Sequence, residues 1–156
     1  LLRAEVFLDL YLADAQTGKR IKRLTSSTLN AETEELRYGY SQSAFSPDGR
    51  QLAYTAQRKG KDALFLVDTR SRRMIRRLDT DLDQMIGPSY SPDGRRIVFS
   101  GSKGGFSNLY VIDADGKNFR ALTNDYYGAQ MPANAAVASP ADSTFLLDVF
   151  TKPSSL

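Results

Sequence analysis

Ser46-Pro47-Asp48-Gly49-Arg50 and Ser91-Pro92-Asp93-Gly94-Arg95 are the same five residues written twice, 45 positions apart (91 − 46). Each copy runs into a short apolar stretch, Gln51-Leu52-Ala53-Tyr54-Thr55 after the first and Arg96-Ile97-Val98-Phe99-Ser100 after the second. Proline's fixed φ suits the second position of a tight turn, serine and aspartate bond the local backbone, and glycine accepts the positive φ that closes it. A turn feeding a strand, repeated with a period of ~40–45 residues, is the pattern of a β-propeller blade.

Two further elements recur with the turn. Leu10-Tyr11-Leu12-Ala13-Asp14, Leu64-Phe65-Leu66-Val67-Asp68 and Leu109-Tyr110-Val111-Ile112-Asp113 are apolar runs that end in aspartate and a polar turn. Beyond them lie Ile21 to Leu24, Ile75 to Leu78 and Phe119 to Leu122, each leucine following its aspartate by 10, 10 and 9 residues (24 − 14, 78 − 68, 122 − 113). A full unit reads as four short strands: one ending at Phe45 or Tyr90, then 50–56 or 95–100, then 62–68 or 107–113, then 73–78 or 117–123. The expected fold is all-β, a β-propeller of four-stranded antiparallel blades.

Counting these units divides the chain into a half blade over 5–25, full blades over 40–80 and 86–124, and a degenerate half blade over 129–151. The last keeps Ser139-Pro140 and an apolar run at Phe145-Leu146-Leu147 but has lost the Asp-Gly pair. About three blades' worth is fewer than the ~4–8 of a closed ring. The expectation is a partial propeller cut from a longer one, with a head-to-tail homodimer closing a six-bladed ring as the alternative. Between the first two units, Asn30 to Arg37 has an N-cap residue, early acids and a basic end. It reads equally as a short helix or a surface loop.

Composition narrows the chemistry. The 156 residues carry a net charge of +3 and contain neither cysteine nor histidine, so no disulfide, Cys/His zinc site or Ser-His-Asp triad can be built from them. No stretch approaches the ~18 apolar residues of a membrane span. Basic residues gather at Lys19-Arg20 with Lys22-Arg23 and at Arg72-Arg73 with Arg76-Arg77, on expected outer strands. Met74 and Ile75, not aromatic platforms, lie between the arginines, so these charges read as guards of an edge strand and no nucleic-acid partner is expected.

With its repeats laid out, the chain resembles the TolB-like propeller family, the Pro-Asp-bearing relatives of WD-repeat blades. The two Ser-Pro-Asp-Gly-Arg turns, Asn108 to Gly116 and Arg120-Ala121-Leu122-Thr123 carry the resemblance, over roughly residues 8–130. It implies a periplasmic or exported location in the bacterial cell envelope and a noncatalytic protein- or peptide-binding role. It also admits the gating propeller of a prolyl-oligopeptidase-like serine peptidase whose catalytic domain lies outside these residues. A carbohydrate-binding or lyase-type propeller is a third reading.

Local motifs resolve into structure more readily than chemistry. Asp113-Ala114-Asp115-Gly116-Lys117-Asn118 echoes a calcium loop, but the twelfth position is Asn124 where glutamate is needed, and a polar hairpin turn accounts for it. Asp48 and Asp93 recur inside equivalent turns, whereas glycosidic chemistry needs two different carboxylates facing one bond. Ser46, Pro47, Asp48, Gly49, Ser91, Pro92, Asp93 and Gly94 are therefore structural turn residues. Gly101 to Gly105 joins two strands, not a strand and a phosphate-binding helix. No catalytic residue, metal ligand or cofactor is expected. The candidate partner-binding residues lie in the blade-to-blade connections that ring the mouth of a propeller: Tyr38, Tyr40 and Gln42; Asp83, Gln84 and Met85; Tyr126, Tyr127 and Gln130. They offer flat amphipathic contact area, and packing between blades explains them equally well.

Overall fold

The computed structural model describes residues 9–25, 35–36, 43–58, 60–124, 136–137 and 145–146. These residues form strands and turns with no helix among them. Strands β1 (Tyr11–Ala13) and β2 (Arg20–Arg23) make an antiparallel pair. The first full blade contains β3 (Glu35–Leu36), β4 (Ala44–Phe45), β5 (Gln51–Arg58), β6 (Lys61–Asp68) and β7 (Met74–Leu78). The second contains β8 (Gln84–Tyr90), β9 (Arg96–Lys103), β10 (Phe106–Asp113) and β11 (Arg120–Ala121). A last antiparallel pair joins β12 (Ala136–Val137) and β13 (Phe145–Leu146).

Both full blades order their strands from inner to outer as the chain runs, and every pairing is antiparallel. Alternation explains how they stack, because successive side chains on a strand face opposite neighbours. Leu52, Tyr54 and Ala56 of β5, with Ala63, Phe65 and Val67 of β6, face Leu10, Leu12 and Leu24 of the half blade. The other face of the same sheet, with Ala53, Leu64, Leu66 and Leu78, packs on Met85, Tyr90, Ile97, Phe99 and Ile112 of the second blade. The middle strands are therefore buried on both faces and read as unbroken apolar runs.

The recurring turn has one geometry in both copies. The N–H of Gly49 donates to the Ser46 carbonyl at 2.8 Å and that of Gly94 to the Ser91 carbonyl at 2.9 Å, with the two glycines at φ +67° and +68°. The strand-three aspartates close the next hairpins. The Asp14 and Asp68 N–H groups donate to the carbonyls of Lys19 and Arg73, whereas that of Asp113 donates to Lys117, one residue nearer. That shorter turn is why Leu122 follows its aspartate by nine residues instead of ten. Gly104 and Gly105, at φ +59° and +87°, are the two central residues of the β9–β10 turn, where positive φ at both matches the twist of the strands.

The inner strands differ between the blades. β8 pairs along β9 with one extra residue between Ile86 and Ser89. In the first blade Leu36 lies opposite Ala56 while Ala44 lies opposite Ala53, so the register steps by five residues between β3 and β4. The short helix considered for residues 30–37 does not extend through Glu35–Leu36, which is strand. An isolated single turn of helix is marginal, and the edge of β5 offers ladder partners instead.

Candidate functional site

The strand connections gather at two ends of the blades. At one lie the Ser-Pro-Asp-Gly-Arg turns and the β6–β7 and β10–β11 hairpins. They are joined there by the Thr69 N–H donating to the Arg50 carbonyl at 2.9 Å and the Ala114 N–H to the Arg95 carbonyl at 2.8 Å. At the other lie the β9–β10 turn and the connection from β7 to β8.

The carboxylates of the turn end are committed to their own backbone. Ser46 Oγ donates to Asp48 Oδ1 at 2.6 Å, the Arg50 N–H donates to the same oxygen at 3.0 Å, and the Gln51 N–H closes the loop on Ser46 Oγ at 2.9 Å. Ser91, Asp93, Arg95 and Arg96 repeat the set at 2.5, 3.0 and 2.9 Å. The Ser46 hydroxyl, then the Arg50 N–H, hold the Asp48 carboxyl below its ordinary value of 3.8. Asp14 and Asp68 are lowered likewise, chiefly by the N–H groups of Thr17 and Ser71. In the loop that echoes a calcium site, Asn118 Nδ2 donates to Asp113 Oδ2 at 2.6 Å and the Lys117 N–H to Asp115 Oδ1 at 2.9 Å. These oxygens bond within their own turns. Between turn and hairpin of the second blade, Asp93 to Arg96 and Asp113 to Asp115 line an open depression of about 610 Å³. The sequence presents its two halves as separate turns, because they lie about twenty residues apart and meet only through the ladder of β9 and β10.

At the opposite end the connection after β7 is tied to β9 and the turn that follows it. The Asp83 N–H donates to the Ser102 carbonyl at 2.8 Å, and Asp83 Oδ2 accepts from the Gly104 N–H at 2.9 Å. Lys103 Nζ pairs with Asp81, and each holds the other in its charged form: the Asp81 carboxyl is lowered and the Lys103 ammonium raised. Leu82 between them is buried in the interblade core.

The structure separates the three candidates it describes. Asp83 and Gln84 face outward, whereas Met85 is fully buried against the first blade. The Met85 N–H donates at 3.0 Å to Oδ2 of Asp62, a buried carboxylate at the start of β6 that the sequence reading passed over. Alternation supplied the missing signal: Met85 sits one strand position from exposed Gln84, so its side chain points the other way. Tyr38, Tyr40, Gln42, Tyr126, Tyr127 and Gln130 lie outside the described residues.

A profile of the TolB beta propeller domain matches residues 11–149. The chain belongs to the TolB β-propeller domain family. Among solved structures, a TolB from Agrobacterium tumefaciens superposes with TM-score 0.58 at 26% identity, over 76% of this chain and 38% of that one. TolB from Acinetobacter baumannii superposes with TM-score 0.56 at 25% identity, over 75% of this chain and 27% of that one. Hydrazine synthase from Kuenenia stuttgartiensis shares the fold, with TM-score 0.57 at 17% identity over 75% of this chain and 36% of that one. Comparison with curated protein sequences finds no match. The TolB-type chain thus spans 38% and 27% of the length of the two TolB structures, well under half of either.

Proposed function

We propose that this TolB-type domain is a noncatalytic binding scaffold of the bacterial cell envelope, periplasmic or exported, that presents a protein or peptide ligand with the end of the blades carrying Asp83 and Gln84. The observation that carries the reading is the pairing of TolB-family membership with an outward-facing connection hydrogen-bonded through Asp83 to both Ser102 and Gly104. Pre-organised polar groups on a buried scaffold bind without paying the entropy of ordering a loop. The proposed rim extends to Tyr38, Tyr40 and Gln42 and to Tyr126, Tyr127 and Gln130, which belong to the neighbouring connections in sequence. Further blades of one polypeptide complete the ring in this reading; a solution mass of two chains for the intact protein would favour the head-to-tail pair.

A photo-crosslinking residue at Gln84 of the intact protein, in the cells that make it, tests the proposal. The expected product is a discrete adduct with an envelope protein, weakened when Asp83 is alanine. The absence of any adduct at Gln84, or a downstream serine-hydrolase domain whose activity the rim gates, would replace it with the peptidase reading.

A further inference from the structure

The charges of the chain are sorted. Residues 19–23 and 70–77 hold nine of its 21 lysines and arginines and no carboxylate, leaving 12 cations against 18 acids elsewhere (21 − 9). Both stretches are outer-strand segments, β2 with its turn and β7 with the hairpin before it. Lys22 Nζ joins them, reaching the Arg70 carbonyl and, at 3.4 Å, that of Thr69. Arg23 pairs with Asp9 and Arg77 with Asp79, and Asp14 and Asp68 close the two hairpins, so the outer wall of the half blade and first blade carries a net excess of cations within an otherwise acidic chain.

Edge protection accounts for some of those charges but not for what lies among them. Ile21 is 62% exposed, Ile75 44% and Met74 41%, at the start of the same outer strands. Exposed aliphatic side chains on an edge invite pairing instead of preventing it. Ile21 and Ile75 hold equivalent places, each three residues before a buried leucine, Leu24 or Leu78. Neither stretch contains an aromatic residue, and the ring of adjacent Tyr11 is covered by Arg20 at 5.4 Å, so nucleic-acid bases find no stacking platform. Cations surrounding short aliphatic anchors match a different surface, the headgroup and acyl boundary of an anionic bilayer.

We propose that this wall, with Ile21, Met74 and Ile75 as shallow anchors and Arg20, Arg72 and Arg73 as headgroup contacts, docks the domain on an anionic lipid surface. The rim with Asp83 and Gln84 is a separate surface, so the proposal stands or falls independently of the ligand bound there.

Co-sedimentation of the intact protein with vesicles tests it. Vesicles of phosphatidylglycerol and phosphatidylethanolamine should retain the protein while phosphatidylcholine vesicles do not, and raising salt from 0.1 to 1 M should release it at least ~10-fold, as expected for screened contacts. Arg72→Glu with Arg73→Glu should weaken retention ~10-fold or more, and Ile21→Ser with Ile75→Ser several-fold, with circular dichroism unchanged. Arg72→Lys with Arg73→Lys should retain binding, because headgroup attraction needs charge and not a planar fork, and serves as the folded control. Equal retention by phosphatidylcholine, or none by either vesicle, overturns the proposal. So does unaltered vesicle binding by the Ile21→Ser, Ile75→Ser protein together with its displacement by duplex DNA, which would assign the wall to nucleic acid.

Discussion

Lys22 and Arg76 hold the same position on successive outer strands, opposite Leu12 and Leu66, and each meets the hairpin of the blade that follows. Lys22 Nζ reaches the carbonyls of Thr69 and Arg70. The Arg76 stem passes Gly116, and its charge adds to the Lys117 N–H in holding the Asp115 carboxyl low. A cation one blade back thus latches the next hairpin twice over. Lys22→Met keeps the stem and removes the donors. It should speed amide exchange of residues 9–25 by about three- to tenfold or more, the loss of its bonds to the two carbonyls, and leave β5 and β6 protected. Exchange mass spectrometry of the intact protein reads both.

Gly101 faces the interblade core where the first blade has Ala56. A Cβ at 101 would overlap Leu82 and lie 3.0 Å from Tyr110 Cδ2. Gly101→Ala should cost about 1–3 kcal/mol, the range of core overpacking. In Leu82→Ala the clash is relieved, so the double mutant should be less unstable than the two single effects added together. Urea unfolding of the four proteins measures that coupling.

Arg72 adopts φ +64° at the position where the half blade uses Gly18 at φ +68°, with the same backbone bond to the aspartate four residues earlier. A left-handed conformation costs a non-glycine residue about 1–2 kcal/mol. Arg72→Gly should raise the midpoint of thermal unfolding; no rise, or a fall, would show that the side chain compensates the strain.

Asp62 and Gln84 sit close in space and should behave oppositely. Asp62→Ala strands the buried Met85 N–H and should cost about 1–3 kcal/mol. Gln84→Ala, on the exposed side of the same strand, should leave the unfolding midpoint within about 0.5 kcal/mol while weakening ligand capture. Loss of stability in the second variant would place Gln84 in the framework and not on the rim.

Three turn aspartates add to the acid sensitivity, beside Asp81 and Asp115, which are lowered as well. Asp14, Asp48 and Asp68 have folded values below the ordinary 3.8, so the unfolded chain takes up protons first as pH falls. Their contribution is complete above about pH 5 and disappears as pH drops through 3.8 to the lowered values, and Asp48→Asn should flatten that decline. The tyrosines set the alkaline limit. Burial, chiefly, pushes Tyr54 and Tyr90 up to about 12, so their contribution is complete below about pH 10 and is lost as the pH climbs toward 12. Tyr90→Phe should remove one of the two steps. Equilibrium unfolding across pH resolves both limbs.

The blades could be read from the sequence because their determinants are local. Each Ser-Pro-Asp-Gly turn closes through partners within five residues, and each strand-three aspartate bonds its own hairpin. What escaped was set by long-range pairing. Asp62 acquires its meaning only when Met85, 23 residues on, docks against it. Met85 and Gln84 look alike in a list of rim residues, and only the strand that contains them sends one inward and the other out. Phe45 and Tyr90 make the same point: they hold matching places opposite Leu52 and Ile97, yet Tyr90 is 5% exposed and Phe45 50%. Tyr90 has the flank of the first blade and Gln51 beside it, 3.3 Å from its hydroxyl. A motif carries no information about its neighbour.

The five-residue step between β3 and β4 separates the length of an inner strand from the spacing of the blades. Both pieces still draw their partners from β5, so the turn at Ser46, the two middle strands and the outer strand keep the places they have in the second blade. A repeat fold assembled this way can take on extra chain at one point of its innermost wall without disturbing the stacking on either side. That is one place where a blade acquires an individual character within the repeat.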